Sequence, residues 1–442
     1  MSKKARGKSL RIKKGNYAPE TRLIWGESFT PKWDYSHHVI PPISSSSTFR
    51  LSTTKRGAKG FIEFAHHAGD LNVESKAPIY IYDRLGEPNK DLLEENLKTA
   101  EQGECAVTFA TGMAAESALC GILLGSGSEI VAHQMLYGCT YSLFKNWLPR
   151  YGINVKWVDF KNLKAVNNAI SPRTRLLYFE TPVNPTMDLI DIQAIAEITK
   201  RHNRNRSKSN RIYAAVDNTF ATPYCQRPLT LGMDFVVESL TKGLCGFGTD
   251  MGGVVLGPSW SYDHLLLYRK DFGGVLSAKS AWPILVYGLP SLAVRFRQQI
   301  QTTQKVAEFL ENDKRIAMVS YPGLDSFRQR SLARAQMRNY DGEFSPGVLM
   351  YFIPKGRTPQ ERHRKANRLV NYIADNSYTM TLAVSLGNIR TLIEHPGSMT
   401  HSSIPPEEQL KRGIDPGGIR LSIGLEKAED IIRDLGNALR NM

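Results

Sequence analysis

Residues 211–242, RIYAAVDNTFATPYCQRPLTLGMDFVVESLTK, decide the fold. Two runs of β-branched and aromatic residues, RIYAAVDN and DFVVESLT, are separated by turn-forming residues and read as strands. The first ends in Asp217. The second ends in Ser239-Leu240-Thr241-Lys242. Moving outward, the same alternation of short strand-like runs with helical stretches extends from about Asp83 to Tyr287, through CAVTFA, SEIVAHQ, INVKWVDF, RLLYFET and GGVVLG. Strands alternating with helices predict a mostly parallel α/β sheet covered by helices on both faces. In such a sheet ligands bind beyond the carboxyl ends of the strands, so the residues that end each run are the candidates for chemistry.

Beyond about Pro290 the pattern changes. A long helical stretch, LAVRFRQQIQTTQKVAEFLEN, is followed by GVLMYFIP, KANRLVNYIADN, TLAVSL, GIRLSIGL and a last helix, KAEDIIRDLGNALR. This mixed order predicts a smaller α+β unit. The expected division is 1–82 as basic tail and N-terminal arm, 83–290 as the larger α/β unit, and 291–442 as the C-terminal α+β unit.

The 442 residues and an ordinary 41% apolar, 22% charged composition fit a folded chain with a large core. No apolar run is long enough to span a bilayer. The first residues, MSKKARGKSLRIKK, lack the apolar segment of a secretory signal, so a cytoplasmic location is expected. Five cysteines without CxxC spacing argue against a disulfide framework and a structural zinc site. The pairs His37/His38 and His66/His67 have no supporting ligands in the sequence, so no metal is expected.

The net charge of +15 is concentrated. Seven Lys or Arg fall in the first fourteen residues, and six more fall in KRHNRNRSKSNR at Lys200 to Arg211. That second cluster reads as a solvated loop, with contact to a polyanion as the alternative. The remaining body is only mildly basic, so nucleic acid is not the expected partner.

Three features converge on one rim. Strand CAVTFA stops at Thr111-Gly112-Met113 before a helical stretch, and a helix start presents N–H groups suited to phosphate. Asp217 is a carboxylate that needs a facing cation. Lys242 brings an amine with two hydroxyls beside it. A buried Asp217–Lys242 ion pair would account for the last two. Pyridoxal 5′-phosphate would account for all three, offering an aldehyde to the lysine, a protonated ring nitrogen to the aspartate and a phosphate to the helix start.

The stretches IYDRLGEP, ATGMAAESA, LYGCTYSLF, FETPVNPTMDLIDI, VDNTFATP, ESLTKG, SLGNIRTLIEHPGSMTHS and IRLSIGLE resemble the Cys/Met-metabolism family of pyridoxal-phosphate enzymes, and methionine γ-lyases among its members. The resemblance implies an aspartate-aminotransferase-like fold of type I. It implies that Lys242 binds the cofactor covalently and shuttles protons, that Asp217 pairs with the ring nitrogen, and that Tyr137 stacks on the ring and protonates a leaving group. Gly112, Met113, Ser239 and Thr241 match the phosphate binders. Tyr82 and Arg84 match a pair that reaches the phosphate of the neighbouring subunit, which implies a homodimer with shared sites, or a homotetramer built from it. Arg420 matches the grip on the substrate carboxylate, with Asn184 near the ring hydroxyl and substrate and Ser385 nearby through its backbone.

Cys139 and the Lys270-Asp271 pair resemble methionine γ-lyases, where such side chains form a polar network beside the tyrosine. Two positions depart from the family pattern: GEP at Gly86-Glu87-Pro88, and SLGNIRT with Asn388 and Arg390, an arginine that could accept a second substrate carboxylate or face solvent. The activity implied is a carbon–sulfur lyase eliminating the γ-thiol of methionine or a related sulfur amino acid. The alternatives are γ-replacement, as in cystathionine γ-synthase or O-acylhomoserine sulfhydrylase, and cystathionine β- or γ-cleavage. A non-catalytic polyanion-binding protein is disfavoured by the intact Lys242, Asp217 and Arg420.

Overall fold

The computed structural model describes residues 17–26, 38–69, 79–400, 406–411 and 413–442. The basic tail before Asn16, His37, the side chains of His66 and His67, and the stretch 70–78 lie outside the described residues.

All seven runs expected in the first sheet are strands: β1 (Cys105–Phe109), β2 (Glu129–His133), β3 (Asn154–Val158), β4 (Thr174–Glu180), β5 (Tyr213–Asp217), β6 (Phe235–Ser239) and β7 (Gly253–Gly257). Their order is β1-β7-β6-β5-β4-β2-β3. The strands β2 to β6 pair in parallel, whereas β7 runs antiparallel to both β1 and β6. Alternate residues of one strand enter different cores: Leu177 and Phe179 of β4 join one apolar cluster, Leu176 and Tyr178 the other. Both faces are therefore covered, as near-continuous apolar strands require.

The second sheet contains β8 (Ile316–Ser320), β9 (Leu349–Pro354), β10 (Met380–Leu382), β11 (Thr391–Glu394) and β12 (Ile419–Ser422), in the order β10-β11-β12-β9-β8. All its pairings are antiparallel except β10–β11. The helix Leu289–Asn312, about 36 Å long at 1.5 Å per residue, joins the two halves. Its Leu292 and Phe296 lie in a core of the first sheet, and its Val306 and Leu310 in the core of the second.

Several details differ from the sequence reading. The stretch expected as an unpatterned arm contains the helices Pro19–Trp25 and Thr54–Gly69. TLAVSL is a strand only over its first part, because the chain turns away at Ser385, whose φ is +90°. β8 and β11 were not anticipated. Within the basic loop, Arg206 donates to the carbonyl oxygens of Ser171, Thr174 and Asn210 at 2.6, 3.1 and 3.1 Å, so that guanidinium ties loops together. Among the described residues no helix is long and apolar enough to cross a membrane.

Candidate active site

The parallel strands release their carboxyl ends into a cavity of about 250 Å³. Ten of the thirteen residues singled out from the sequence line it: Gly112, Met113, Tyr137, Asn184, Asp217, Ser239, Thr241, Lys242, Ser385 and Arg420. Tyr82, Arg84 and Cys139 do not.

The floor is built where β1 passes into the helix Gly112–Leu123. Thr111 caps that helix, its Oγ1 accepting the N–H of Ala114 at 3.0 Å. The N–H groups of Gly112 and Met113 precede the first intrahelical hydrogen bonds and border the cavity beside Ser239. Gly253, paired with Ser239 in the β6–β7 ladder, passes so close that a Cβ on it would lie 2.2 Å from the Thr111 carbonyl oxygen and 2.6 Å from Gly112 N. Only a glycine permits that approach. Thr241 Oγ1 accepts the N–H of Gly252 at 3.1 Å, which fixes the hydroxyl at the rim.

Asp217 and Glu180 sit side by side, in register at the ends of β5 and β4. Asp217 Oδ1 accepts the backbone N–H of Thr219 at 2.8 Å. Burial pushes the Asp217 carboxyl up, opposed by Thr219 and by the more distant charge of Lys242. Among the described residues no ion pair joins Asp217 to Lys242. Lys242 Nζ instead donates to Ser385 Oγ at 2.8 Å. Burial, and then the neighbouring Arg420, lower this amine to about 8. The simple ion-pair explanation of the two strand ends therefore fails: the acid and the amine face a common cavity without pairing.

This donor set fits pyridoxal 5′-phosphate. A half-buried carboxylate lacking a cation at ion-pair distance suits a protonated ring nitrogen. An amine lowered toward neutrality suits capture of an aldehyde, and helix-start N–H groups with two hydroxyls suit a phosphate.

At the opposite wall, Arg420 from β12 is only 3% exposed. Its Nη1 reaches Glu394 at 3.0 Å and Asn184 Oδ1 at 3.1 Å, and its Nη2 reaches the Ser385 carbonyl at 2.9 Å. Thr400 Oγ1 also donates to Glu394, at 3.0 Å. Tyr137 opens the short helix Gly138–Ser142, and its backbone N–H donates to Glu180 Oε2 at 3.0 Å. Burial, reinforced by Cys139, raises the Tyr137 phenol, so it holds its proton at neutral pH.

Three features singled out from the sequence lie outside the cavity lining. Cys139 does not line the cavity; its thiol meets the Tyr137 hydroxyl at 3.5 Å. Lys270 pairs with Asp271 at 3.1 Å, and the Lys270 carbonyl accepts from Arg84. Arg390 is exposed and absent from the cavity wall, while Asn388 Oδ1 accepts the Arg390 backbone N–H at 3.0 Å. The residues missed are Glu116, Glu180, Thr219 and Glu394. Glu180 ends β4, a strand read from the sequence, so the strand-end rule that singled out Asp217 would have found it; Glu394 ends β11, which the sequence reading did not anticipate.

The sequence model for the family described as Cys/Met metabolism PLP-dependent enzymes matches residues 20–440. The chain is 39% identical to the L-methionine γ-lyase of Porphyromonas gingivalis, over 91% of this chain and 93% of that protein. It is 36% identical to the cystathionine γ-lyase of Bacillus subtilis, over 82% and 89% respectively. The crystal structure of cystathionine γ-lyase from Lactobacillus plantarum complexed with L-serine superposes with a TM-score of 0.80 at 29% identity, covering 96% of this chain and 99% of that one.

Proposed function

The chain belongs to the Cys/Met-metabolism family of pyridoxal-phosphate-dependent enzymes, and from that premise we propose that it eliminates the γ-thiol of methionine or a closely related sulfur amino acid, yielding a thiol, a 2-oxo acid and ammonia. The observation that carries this reading is the make-up of the cavity wall. Among the described residues its only Lys and Arg side chains are Lys242 and Arg420, and Phe220, Met251, Val384 and Leu386 form an apolar side. A methylthio group suits that side. The second charged end of cystathionine or O-succinylhomoserine finds no further Lys or Arg in this chain's own lining among the described residues.

When bound, pyridoxal 5′-phosphate supplies the electron sink for charge developing on the substrate carbons. The rest of the work falls to the chain. Gly112, Met113, Ser239 and Thr241 hold the phosphate, and Asp217 keeps the ring nitrogen protonated. Arg420 takes the substrate carboxylate as a planar bidentate donor, a geometry that lysine cannot reproduce. Asn184 and Ser385 hold the guanidinium in position. Lys242 Nζ, lowered to about 8, is basic enough to accept the Cα proton and neutral in part at physiological pH. Tyr137, still carrying its phenolic proton, protonates the departing sulfur.

Tyr82 is 40% exposed, and neither it nor Arg84 reaches the cavity of its own chain. We assign both to the phosphate of a neighbouring subunit, in a homodimer or a tetramer of two such dimers, acting in the cytoplasm. Lys270 and Asp271, anchored to Arg84, would arrive at the neighbour's Tyr137 and Cys139 with the same face. The deciding experiment offers the purified enzyme methionine, homocysteine, cystathionine and O-acylhomoserines. Methanethiol release from methionine, at a higher kcat/KM than cystathionine cleavage, is expected; its absence overturns the proposed reaction.

A further inference from the structure

Glu180 has so far been only a neighbour of better-known residues. It ends β4, is 6% exposed and borders the cavity. Its Oε2 accepts the backbone N–H of Tyr137 at 3.0 Å, and its Oε1 accepts that of Asn184 at 2.9 Å. These N–H groups belong to different connections: one leaves β2, the other leaves β4 itself. One carboxyl group thus spans two loops, using a different oxygen for each.

The electrostatic setting makes an acid at this place costly. Asp217 lies directly across the ladder. Burial and Asp217 push the Glu180 carboxyl up to about 8, against the two N–H bonds and the charge of Arg420. A glutamine of the same shape would escape that cost, but it has a single accepting oxygen. Its NH₂ group would face one of the two N–H donors and leave that donor unpaired.

The connection continues beyond the two loops. Asn184 Oδ1 accepts from Arg420 Nη1 at 3.1 Å. An unbroken path therefore runs from the Tyr137 backbone through Glu180 and Asn184 to Arg420. We propose that Glu180 is a positioning residue, a two-oxygen clamp that sets the proton-donating tyrosine at a fixed offset from the arginine that grips the substrate carboxylate. This rests on the roles given above to Tyr137 and Arg420, and it adds that their relative placement depends on one side chain whose two oxygens are each engaged by a backbone N–H.

The test compares Glu180→Gln with wild type and with Tyr137→Phe in the holoenzyme. Loosening one end of the clamp is expected to lower kcat by ~10- to 100-fold and to raise KM by a smaller factor. The cofactor-to-chain ratio should stay unchanged, while the visible circular dichroism of the bound cofactor weakens as the Tyr137 ring loses its fixed pose. In a double-mutant cycle the Glu180→Gln and Tyr137→Phe losses should combine to much less than their product. Kinetic constants within twofold of wild type, or losses that multiply fully, overturn the proposal.

Amide hydrogen exchange in the unmodified protein gives a second readout that needs no variant. The Tyr137 and Asn184 amides are expected to be protected together, and rapid exchange at Tyr137 overturns the clamp. If the wild type carries the cofactor but cleaves cystathionine in place of methionine, the substrate reading falls. The same comparison then runs with cystathionine and still decides for or against the clamp.

Discussion

Asp217 and Lys242 carry opposite charges at the rim of one sheet, yet the lysine spends its hydrogen bond on Ser385 and the aspartate accepts from Thr219. Each group is held short of the other, and the space between them is where a ligand with complementary ends belongs. The environment of Lys242 has a measurable consequence. Its ordinary value of 10.5 is lowered to about 8, chiefly by burial and then by Arg420. Only the neutral amine attacks an aldehyde, so capture of pyridoxal 5′-phosphate by the apoenzyme should accelerate as pH rises through about 8 and level off above it. Stopped-flow absorbance between pH 6.5 and 9.5 checks this. A rate still climbing steeply at the top of that range would return the amine to its ordinary value.

Among the elements, the junction of β1, β7 and the helix Gly112–Leu123 is the least tolerant of change. Gly253→Ala would drive a methyl group into the Thr111–Gly112 peptide. Since that peptide is backbone, the helix start must move. Weaker cofactor binding by at least ~10-fold is expected, with kcat at saturating cofactor affected less; equilibrium dialysis of the variant measures it. The same comparison shows what a sequence can reveal. The seven strands of the first sheet were legible because each is a short run carrying β-branched or aromatic residues between turn or helical stretches. β8 was not, because IAMVS follows the long helical stretch with only Asp313-Lys314-Arg315 between them and no Gly or Pro to mark the break. Side chains that line the cavity were legible at strand ends and in family motifs. Glu180 stood at a readable strand end, but its role did not show there: its partners are backbone N–H groups, and the partner of Glu394 is Arg420, relations that no spacing displays.

For the whole molecule, the proposed reach of Tyr82 and Arg84 to a neighbour's phosphate would leave a lone chain with an incomplete site. Lys242→Ala and Arg84→Ala chains, each nearly inactive alone, should recover part of wild-type activity when unfolded together and reassembled. About a quarter of the sites would be intact at equal mixing; a mixture no more active than its parents removes the shared site. Within one chain, the two sheets also meet at the lysine. Gly387, at φ +71°, packs against Gly243, where a Cβ would lie 2.5 Å from the backbone nitrogen. The Lys242–Ser385 hydrogen bond spans 143 residues of sequence. The amine therefore reaches its seat only after the last part of the polypeptide has left the ribosome and docked. A copy broken off after β7 would carry Gly112, Met113, Ser239, Thr241 and Lys242 yet lack the Ser385 hydroxyl that seats the amine, which would make coloration by the coenzyme a checkpoint for completed synthesis.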